Sequence, residues 1–351
     1  MMNRKIFTGI ILILLLVLIT AGGLLFIEIT TPKWSLEEKE TIFKVERGKS
    51  FPEVAEKLKN EGIIGSDLAF NVYVIFSGKR GTFKAGDYKL GDDMSIIDIA
   101  EKFSEGDVFF ESITIPEGWS IRDISRLVER ENFYKKESFL DVAGISFPQA
   151  ELEGVHEREG KHFEEFEILR DRPKGSSLEG YLFPDTYRIE NGDPEKLVKR
   201  MIANLERRFS DDFFEAAKEK ERSVHEIIIM ASLIEKEVID FEEKRKVSDV
   251  LWRRIEVGKP LQVDATVNYV TGRRDVGVTI EETRVDSPYN TYKYKGLPEG
   301  PICNPGIESI EAALYPFEND YWYYLSRQDT GETIFSRTHD EHVKAKNKYL
   351  R

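Results

Sequence analysis

Two glutamates at the end of an apolar stretch are the residues best placed for chemistry in this sequence. Residues 227–239 are almost entirely apolar until Glu235, Lys236 and Glu237. On a helical wheel of about 100° per residue, Glu235 lies beside the strongest apolar stripe and Lys236 points to the opposite side. A carboxyl group held against apolar neighbours resists ionisation, and a general acid must keep its proton near neutral pH. The pattern therefore favours Glu235 as a general acid, although a glutamate paired with Lys236 or Arg245 at the edge of a core helix shows the same pattern.

A glycosidase that works with two carboxyl groups needs a second acid that faces the first. Glu179, Glu237 and Asp264 are candidates for this second acid by residue type only. The sequence contains no glycine-rich phosphate loop and no Gly-x-Ser-x-Gly elbow. His339 and His342 stand three residues apart, but no third ligand is evident, so we expect no metal site. We also expect no cofactor.

Helices and loops around Glu235 must position these groups. Ser223 and Glu226 form a capping-box pattern that predicts the start of the glutamate helix. Asp240 predicts the start of the next helix, which Gly258 ends. The long segments 261–269 and 287–306 are rich in Tyr, Asn, Gln, Gly and Pro. Such residues suit sugar recognition, because aromatic rings cover apolar faces and amides meet hydroxyls, although Gly and Pro also simply build turns.

Earlier in the chain, a strand, a turn and a serine-capped helix recur three times, with caps at Ser50, Ser95 and Ser120. The first unit, with a second helix from about Ser66 to Phe76, resembles a LysM-type βααβ module, a kind that binds peptidoglycan glycans. Ordinary α+β packing without a ligand explains the pattern equally well. Residues 145–176 are acidic and poorly periodic, which predicts a solvated insertion.

The N-terminus predicts a membrane anchor. Residues 6–27 form an uncharged apolar run that is long enough to span a bilayer, and the basic Arg4 and Lys5 precede it. Basic residues directly before a membrane span favour the cytoplasmic side, so we expect a cytoplasmic N-terminus with the rest of the chain translocated. A cleaved signal peptide is the competing interpretation, but the run is long for one and continues past the small residues 20–23.

Length and charge limit the possible function. With 351 residues the chain can form two or three domains. Its 64 acidic and 51 basic residues give a net charge of −13, which argues against a nucleic-acid partner. The single cysteine, Cys303, excludes an internal disulfide.

Four separated motifs resemble the MltG (YceG-like) endolytic murein transglycosylases. They are residues 179–187, 231–238, 261–269 and 287–306. The resemblance covers nearly the whole chain, in the order anchor, LysM-like part and catalytic part. It implies a cell-wall enzyme that cuts peptidoglycan glycan strands internally, between N-acetylmuramic acid and N-acetylglucosamine.

The resemblance also implies roles for particular residues. The family's catalytic glutamate matches Glu235, which the helical wheel also selects. Its carboxyl group would protonate the bridging oxygen and then take a proton from the muramoyl C6 hydroxyl. That oxygen closes onto C1, which gives a 1,6-anhydro end without water. Glu179, Gln262, Tyr289 and Asn290 would line the cleft and bind substrate.

We therefore expect an α+β protein in the inner membrane, anchored once, with most of the chain extracytoplasmic. The predicted parts are a tail (1–5), an anchor (6–27), a neck (28–40), a LysM-like region (41–112) and a catalytic domain (113–351) that contains the acidic insertion (145–176). The expected partners are glycan strands and inner-membrane proteins of wall synthesis. The alternatives are a non-catalytic peptidoglycan-binding scaffold and a hydrolytic muramidase.

Overall fold

A computed structural model describes residues 4–33, 40–189, 193–273, 277–327 and 329–349. The chain divides into a smaller unit, residues 1–110, and a larger unit, residues 111–351. Residues 1–3 of the predicted tail and residues 34–39 of the predicted neck lie outside the described residues. The expectation of a mixed α+β protein with an N-terminal apolar helix is confirmed.

Helix α1 (Arg4–Thr30) carries the long apolar run of the N-terminus. Its segment Thr8–Thr30 is long and apolar enough to cross a membrane, and its most apolar window is not buried inside the protein. A bilayer core needs about 20 apolar residues, so this helix fits a membrane anchor. The helix extends past the predicted end of the anchor at Ile27, whose carbonyl accepts a hydrogen bond from the Thr31 N–H at 2.9 Å.

The smaller unit continues with two strands and three helices. They are β1 (Glu40–Val45), α2 (Phe51–Asn60), α3 (Asp67–Phe76), β2 (Gly86–Gly91) and α4 (Ile96–Glu105). Strands β1 and β2 pair antiparallel with Phe43 opposite Tyr88, and both side chains join one core with the helices. The predicted βααβ order is present, and the identity of this region as a LysM-like module stays a prediction.

Capping boxes begin a helix at each of the three predicted serines. The acidic residue three positions on accepts a hydrogen bond from the serine N–H: Glu53 from Ser50 at 2.9 Å, Asp98 from Ser95 at 2.8 Å and Asp123 from Ser120 at 3.2 Å. These contacts satisfy amides that a helix start leaves unpaired. They explain why the helix starts could be located from the sequence.

The larger unit consists mainly of helices. Its elements are β3 (Ser112–Thr114), α5 (Ile121–Arg130), α6 (Lys136–Ala143), α7 (Phe147–Glu153), β4 (Thr186–Arg188), α8 (Pro194–Glu206), α9 (Asp211–Glu219), α10 (Val224–Glu237), α11 (Phe241–Glu256), α12 (Asp264–Thr271), α13 (Ile307–Leu314), β5 (Tyr323–Ser326), β6 (Thr333–Ser336) and α14 (His339–Tyr349). Strand β3 pairs antiparallel with β4, and β5 with β6.

Helix α10 is the central element of this unit. Its N-terminus is fixed by Ser223, whose hydroxyl accepts the Glu226 N–H at 3.2 Å while the Glu226 carboxylate accepts the Ser223 N–H at 2.8 Å. From Val224 to Ile234 every residue except Glu226 is buried. A helix that is apolar on all sides is stable only in a core, and α10 packs against α11 and α13. The helix ends at Glu237, two residues before the end of the apolar stretch 227–239. Ile239, the last residue of that stretch, is exposed.

The acidic stretch at residues 145–176 is packed into the larger unit. Phe163, Ile168 and Leu169 lie in its core. Arg172 is also buried, and its guanidinium donates hydrogen bonds of 3.2 and 3.3 Å to two backbone carbonyls of the same stretch. Most of its glutamates are exposed, whereas apolar side chains at irregular spacing, which periodicity does not detect, fix the stretch to the core. Its identity as a solvated insertion stays a prediction.

Gly180 follows this stretch and packs closely against Ile228 of α10 and Pro301. We predict that this position tolerates no side chain. Its φ is +88°, and a methyl group there would lie 2.6 Å from Pro301 Cγ and 2.7 Å from Ile228 Cγ2. Gly175 has a φ of +87° with open space around it. Gly180→Ala should therefore lower the free energy of unfolding by about 3 kcal/mol or more, and Gly175→Ala by about 1 kcal/mol. Urea unfolding measures both, and equal losses would contradict the packing role of Gly180.

Candidate active site

The last turn of α10 directs its two glutamates to different sides. Residues two apart on a helix are separated by about 200° around its axis. Glu235 contacts Lys244 on α11 and Ser309 on α13, whereas Glu237 is hydrogen-bonded to a tyrosine of β5 and is influenced by the charge of Asp264 on α12. The two carboxyl groups therefore belong to separate clusters.

The Glu235 cluster consists of Glu235, Lys244, Gly306 and Ser309. The Glu235 carboxylate, in a side chain that is 10% exposed, accepts hydrogen bonds from the Ser309 hydroxyl at 2.5 Å and the Gly306 N–H at 3.2 Å. Lys244 Nζ, in a side chain only 4% exposed, lies 3.6 Å away. The nearby cation is thus Lys244 and not the predicted Lys236 or Arg245. Glu235 joins α10 to α11 and to the N-terminus of α13, where a negative charge is favourable.

Glu117 brings a further carboxyl group to the Glu235 cluster. It lies in the loop between β3 and α5, and its carboxyl group rests on Gly306, where an added Cβ would be 2.2 Å from it. Burial and the nearby charge of Glu235 raise the pKa of Glu117. No sequence pattern marks this residue, because it stands in a non-periodic loop far before α10.

The Glu237 cluster consists of Glu237, Asp264, Tyr292 and Tyr324. Tyr324 shares a hydrogen bond with the Glu237 carboxyl group, and the Tyr292 hydroxyl donates one to Asp264. Burial, reinforced by the charge of Asp264, raises the pKa of Glu237 to about 7. A carboxyl group with a pKa near neutrality can both donate and accept a proton at physiological pH. The two tyrosines of this cluster have no role in the sequence-based prediction.

Gln262 stands two residues before Asp264 and has an exposed side chain. Its φ is +54°, while Leu261 and Val263 on either side are buried. Its N–H donates a hydrogen bond of 3.1 Å to the Thr291 carbonyl. A left-handed conformation costs a residue other than glycine about 1–2 kcal/mol, and such strain clusters at functional sites. The fold therefore presents the Gln262 side chain to solvent at the start of α12.

Glu179 lies inside the protein, with 3% of its surface exposed. Its two oxygens share the Ile121 N–H at 3.0 and 3.1 Å, and Asn304 Nδ2 and the Tyr269 hydroxyl donate at 3.1 and 3.3 Å. Burial raises the pKa of Glu179 to about 8. Glu179 thus fixes the start of α5 to the loop that contains Asn304, and its contact with substrate stays a prediction.

Asn304 connects several segments through one fully buried amide. Its Oδ1 accepts hydrogen bonds from the N–H groups of Gly180 at 3.0 Å and Leu182 at 2.9 Å. Its Nδ2 donates to the Trp119 carbonyl at 2.9 Å and to Glu179. All four hydrogen-bonding positions of the amide are used. The motif around Asn304 therefore holds the loops together.

Tyr289 and Asn290 are also buried. Asn290 Nδ2 donates to the carbonyls of Thr283 at 3.0 Å and Val285 at 2.7 Å. The Tyr289 ring packs 5.0 Å from the ring of Tyr269, and burial raises the pKa of the Tyr289 hydroxyl well above its usual range. These side chains shape the loop that leads to the Glu237 cluster, and their contact with substrate stays a prediction.

The larger unit is thus a helix-rich α+β unit whose central helix ends in two carboxylate clusters. The chain belongs to the YceG-like family, whose model matches residues 43–348, so the family resemblance of its motifs is confirmed. It is 34% identical over 346 residues to the endolytic murein transglycosylase of Bacillus subtilis (strain 168), covering 95% of this chain and 91% of that protein. It is 27% identical over 345 residues to the endolytic murein transglycosylase of Streptococcus pneumoniae serotype 2, covering 93% of this chain and 62% of that protein. The crystal structure of a yceG-like protein from Listeria monocytogenes shares 30% identity, with a TM-score of 0.55 over 88% of this chain and 100% of that one.

The raised pKa values of Glu179 and Glu237 predict that stability depends on pH. Both groups bind a proton more tightly in the folded chain than at their ordinary pKa of 4.5. Their contribution to stability is fully present below about pH 4.5 and is lost as the pH rises through about 7 and about 8. Their contribution to the free energy of unfolding should therefore fall from about pH 5 to about pH 8, so the wild type should lose more stability, or gain less, over this range than Glu179→Gln, whose amide does not ionise. Urea unfolding at several pH values measures both slopes, and identical slopes would exclude Glu179 as a source.

Proposed function

We propose that this chain is a lytic transglycosylase that cuts the glycan strands of peptidoglycan internally. Its relatives in Bacillus subtilis and Streptococcus pneumoniae carry the name endolytic murein transglycosylase. The observation that carries the proposal is the cluster at the end of α10, where the Glu237 carboxyl group is hydrogen-bonded to Tyr324 and Tyr292 donates to Asp264; burial and the charge of Asp264 raise the pKa of Glu237 to about 7. An acid of this strength is what the cleavage of a glycosidic bond near neutral pH requires.

The proposed reaction needs one carboxyl group to act twice. The protonated carboxyl group gives its proton to the oxygen that bridges N-acetylmuramic acid and N-acetylglucosamine, while the bond from that oxygen to muramoyl C1 breaks. The carboxylate then takes the proton of the muramoyl C6 hydroxyl, whose oxygen bonds to C1. The products are a 1,6-anhydro end and a free 4-hydroxyl, no water is consumed, and the carboxyl group is protonated again. A pKa near 7 suits both steps.

We assign the proton transfers to Glu237 and a positioning role to Glu235. The contacts of Glu235 with Lys244, Gly306 and Ser309 join three helices and hold its carboxylate in place. The pKa of Glu237 is the value that a group serving as acid and then as base needs. Glu235, the glutamate predicted from the sequence, remains the alternative proton carrier.

Substitution of each glutamate separates the two assignments. Glu237→Gln should lower the rate of glycan cleavage by about 10²- to 10⁴-fold, because an amide transfers no proton. Glu235→Gln should keep most of the activity per folded molecule but lose about 1–3 kcal/mol of stability, because the buried Lys244 loses an anionic partner. Glu242→Gln, at an exposed position of α11, is the matched control. Cleavage assays on purified glycan strands and urea unfolding give both quantities, and an inactive Glu235→Gln beside an active Glu237→Gln would reverse the assignment.

The product ends distinguish the proposed reaction from its alternatives. Mass spectrometry of digested peptidoglycan should find 1,6-anhydro-muramoyl ends. Reducing muramoyl ends would instead indicate a hydrolytic muramidase. A wild-type chain that binds glycan strands but leaves them uncut would indicate a non-catalytic scaffold.

The four predicted substrate-binding residues differ in exposure. Gln262 is exposed, whereas Glu179, Tyr289 and Asn290 are buried. We therefore propose that Gln262 contacts the sugar directly and that the other three hold the loops that form the cleft. An amide at this position can pair with sugar hydroxyls or with N-acetyl groups.

Gln262 offers a test in which activity and stability change in opposite directions. Gln262→Gly should leave the free energy of unfolding unchanged or raise it by up to about 1 kcal/mol, because glycine adopts a positive φ without strain. It should lower kcat/KM for glycan cleavage about tenfold through loss of the amide. Gln262→Asn is the control, because asparagine also adopts a positive φ and keeps an amide group on a side chain that is shorter by one methylene. An unchanged kcat/KM in Gln262→Gly would exclude the sugar contact.

We also propose that α1 crosses the cytoplasmic membrane once, with Arg4 and Lys5 on the cytoplasmic side and the rest of the chain on the peptidoglycan side. Inner-membrane proteins of wall synthesis are the proposed partners. The βααβ part of the smaller unit is proposed as a LysM-like module that binds glycan.

A further inference from the structure

Helix α3 is apolar on two sides. Ala69, Phe70 and Val74 lie in the core of the smaller unit. A second set of apolar residues, which we call the outer stripe, follows the helical spacing i, i+4, i+7, i+8 and consists of Leu68, Val72, Ile75 and Phe76. Leu68 and Phe76 are 65% and 85% exposed. An exposed apolar surface of this kind marks a contact with a membrane or with another protein.

The end of α1 lies next to this helix. Leu25 and Ile29 of α1 pack against the core that α3 helps to form, and α1 contacts both α3 and α4. Lys33 Nζ donates a hydrogen bond of 2.9 Å to the Gly62 carbonyl in the loop before α3. At a rise of about 1.5 Å per residue, Leu25 lies about 7–8 Å inside the end of the apolar segment at Thr30. The smaller unit therefore touches α1 at the level where a membrane-spanning helix leaves the acyl chains.

The charges around the outer stripe suit a lipid surface. From Leu68 to Gly86 the sequence contains three basic residues, Lys79, Arg80 and Lys84, and no acidic residue, in a chain whose net charge is −13. Lys79 and Arg80 follow Phe76 closely, and Arg80 is exposed. An apolar helical stripe beside basic residues is typical of helices that lie in the membrane interface, where anionic headgroups attract the cations.

We propose that α3 lies in the interface of the bilayer that α1 crosses, with the outer stripe among the upper acyl chains and Lys79 and Arg80 on anionic headgroups. The ten residues of α3 are too few to cross a bilayer, so the helix lies along its surface. This inference rests on the proposed membrane insertion of α1. Both α1 and α3 then hold the smaller unit to the membrane, so rotation of this unit about the α1 axis is restricted.

A single labelled cysteine tests this contact in the full chain. The native Cys303 is buried, so a new cysteine at Phe76→Cys can be labelled selectively with an environment-sensitive dye. Ile42→Cys is the matched control, because Ile42 is 50% exposed and alternates with the core residues Phe43 and Val45 on β1. Ile42 thus points away from the helices of the smaller unit. Leu68→Cys provides a second position on the outer stripe.

The chain is reconstituted in vesicles of phosphatidylethanolamine and phosphatidylglycerol. Labels at positions 76 and 68 should emit at shorter wavelength than the label at position 42, and lipid-borne quenchers should quench them. Their quenching by aqueous iodide should be at least about threefold weaker than at position 42. Lys79→Gln with Arg80→Gln, or vesicles of phosphatidylcholine alone, should reduce this protection.

Four outcomes would overturn the inference. Equal iodide quenching at positions 76 and 42 places the outer stripe in water. Protection that disappears when the chain is diluted in excess lipid assigns the stripe to a second copy. Protection in native membranes but not in purified vesicles assigns it to a partner protein. Release of the chain by alkaline carbonate shows that α1 is not inserted. None of these measurements depends on glycan cleavage. A chain that cleaves no glycan but protects position 76 from iodide would refute the proposed activity and still support the lipid contact.

Discussion

The burial of α10 is the constraint on which the larger unit depends. The helix is covered on all sides because its carboxylates and its lysine are confined to its two ends, Glu226 at the start and Glu235 to Glu237 at the finish. The buried Ser232 in its middle donates its hydroxyl to the Ile229 carbonyl. An apolar body of this kind must be surrounded by other elements to be stable in water. The surrounding elements converge on its last turn, and the site forms where the core ends.

One helical turn creates two chemical environments from two glutamates. Glu235 is held by a buried ammonium group, a hydroxyl and a backbone N–H, an arrangement that fixes a carboxylate between three helices. Glu237 is partly buried near the charge of Asp264 and a tyrosine, and this burial with a like charge raises its pKa to about 7. Positions two residues apart on the same helix thus meet different groups, because the helical rotation sends each side chain to different neighbours.

The loops around α10 are ordered by buried polar side chains. Asn304 and Glu179 satisfy backbone N–H and carbonyl groups from segments far apart in the chain. Asn290 donates to two backbone carbonyls inside its own loop. A buried amide or carboxyl group is costly unless it is hydrogen-bonded, so each of these residues specifies one loop arrangement. This requirement accounts for polar residues in the motifs that never reach the surface.

The sequence by itself determined the helix starts, the buried central helix, the apolar N-terminal segment and the family, because capping, periodicity and motif spacing are local properties of the chain. The core residues within 145–176 could not be located in this way, because they are scattered without any local period. Only the tertiary structure decided that Lys244 lies beside Glu235, that Glu117 joins the same cluster and that the charge of Asp264 acts on the partly buried Glu237. A helical wheel gives the direction of a side chain but not the element that covers it. That element comes from distant parts of the chain, so the ionisation of each carboxyl group is fixed only when the chain has folded.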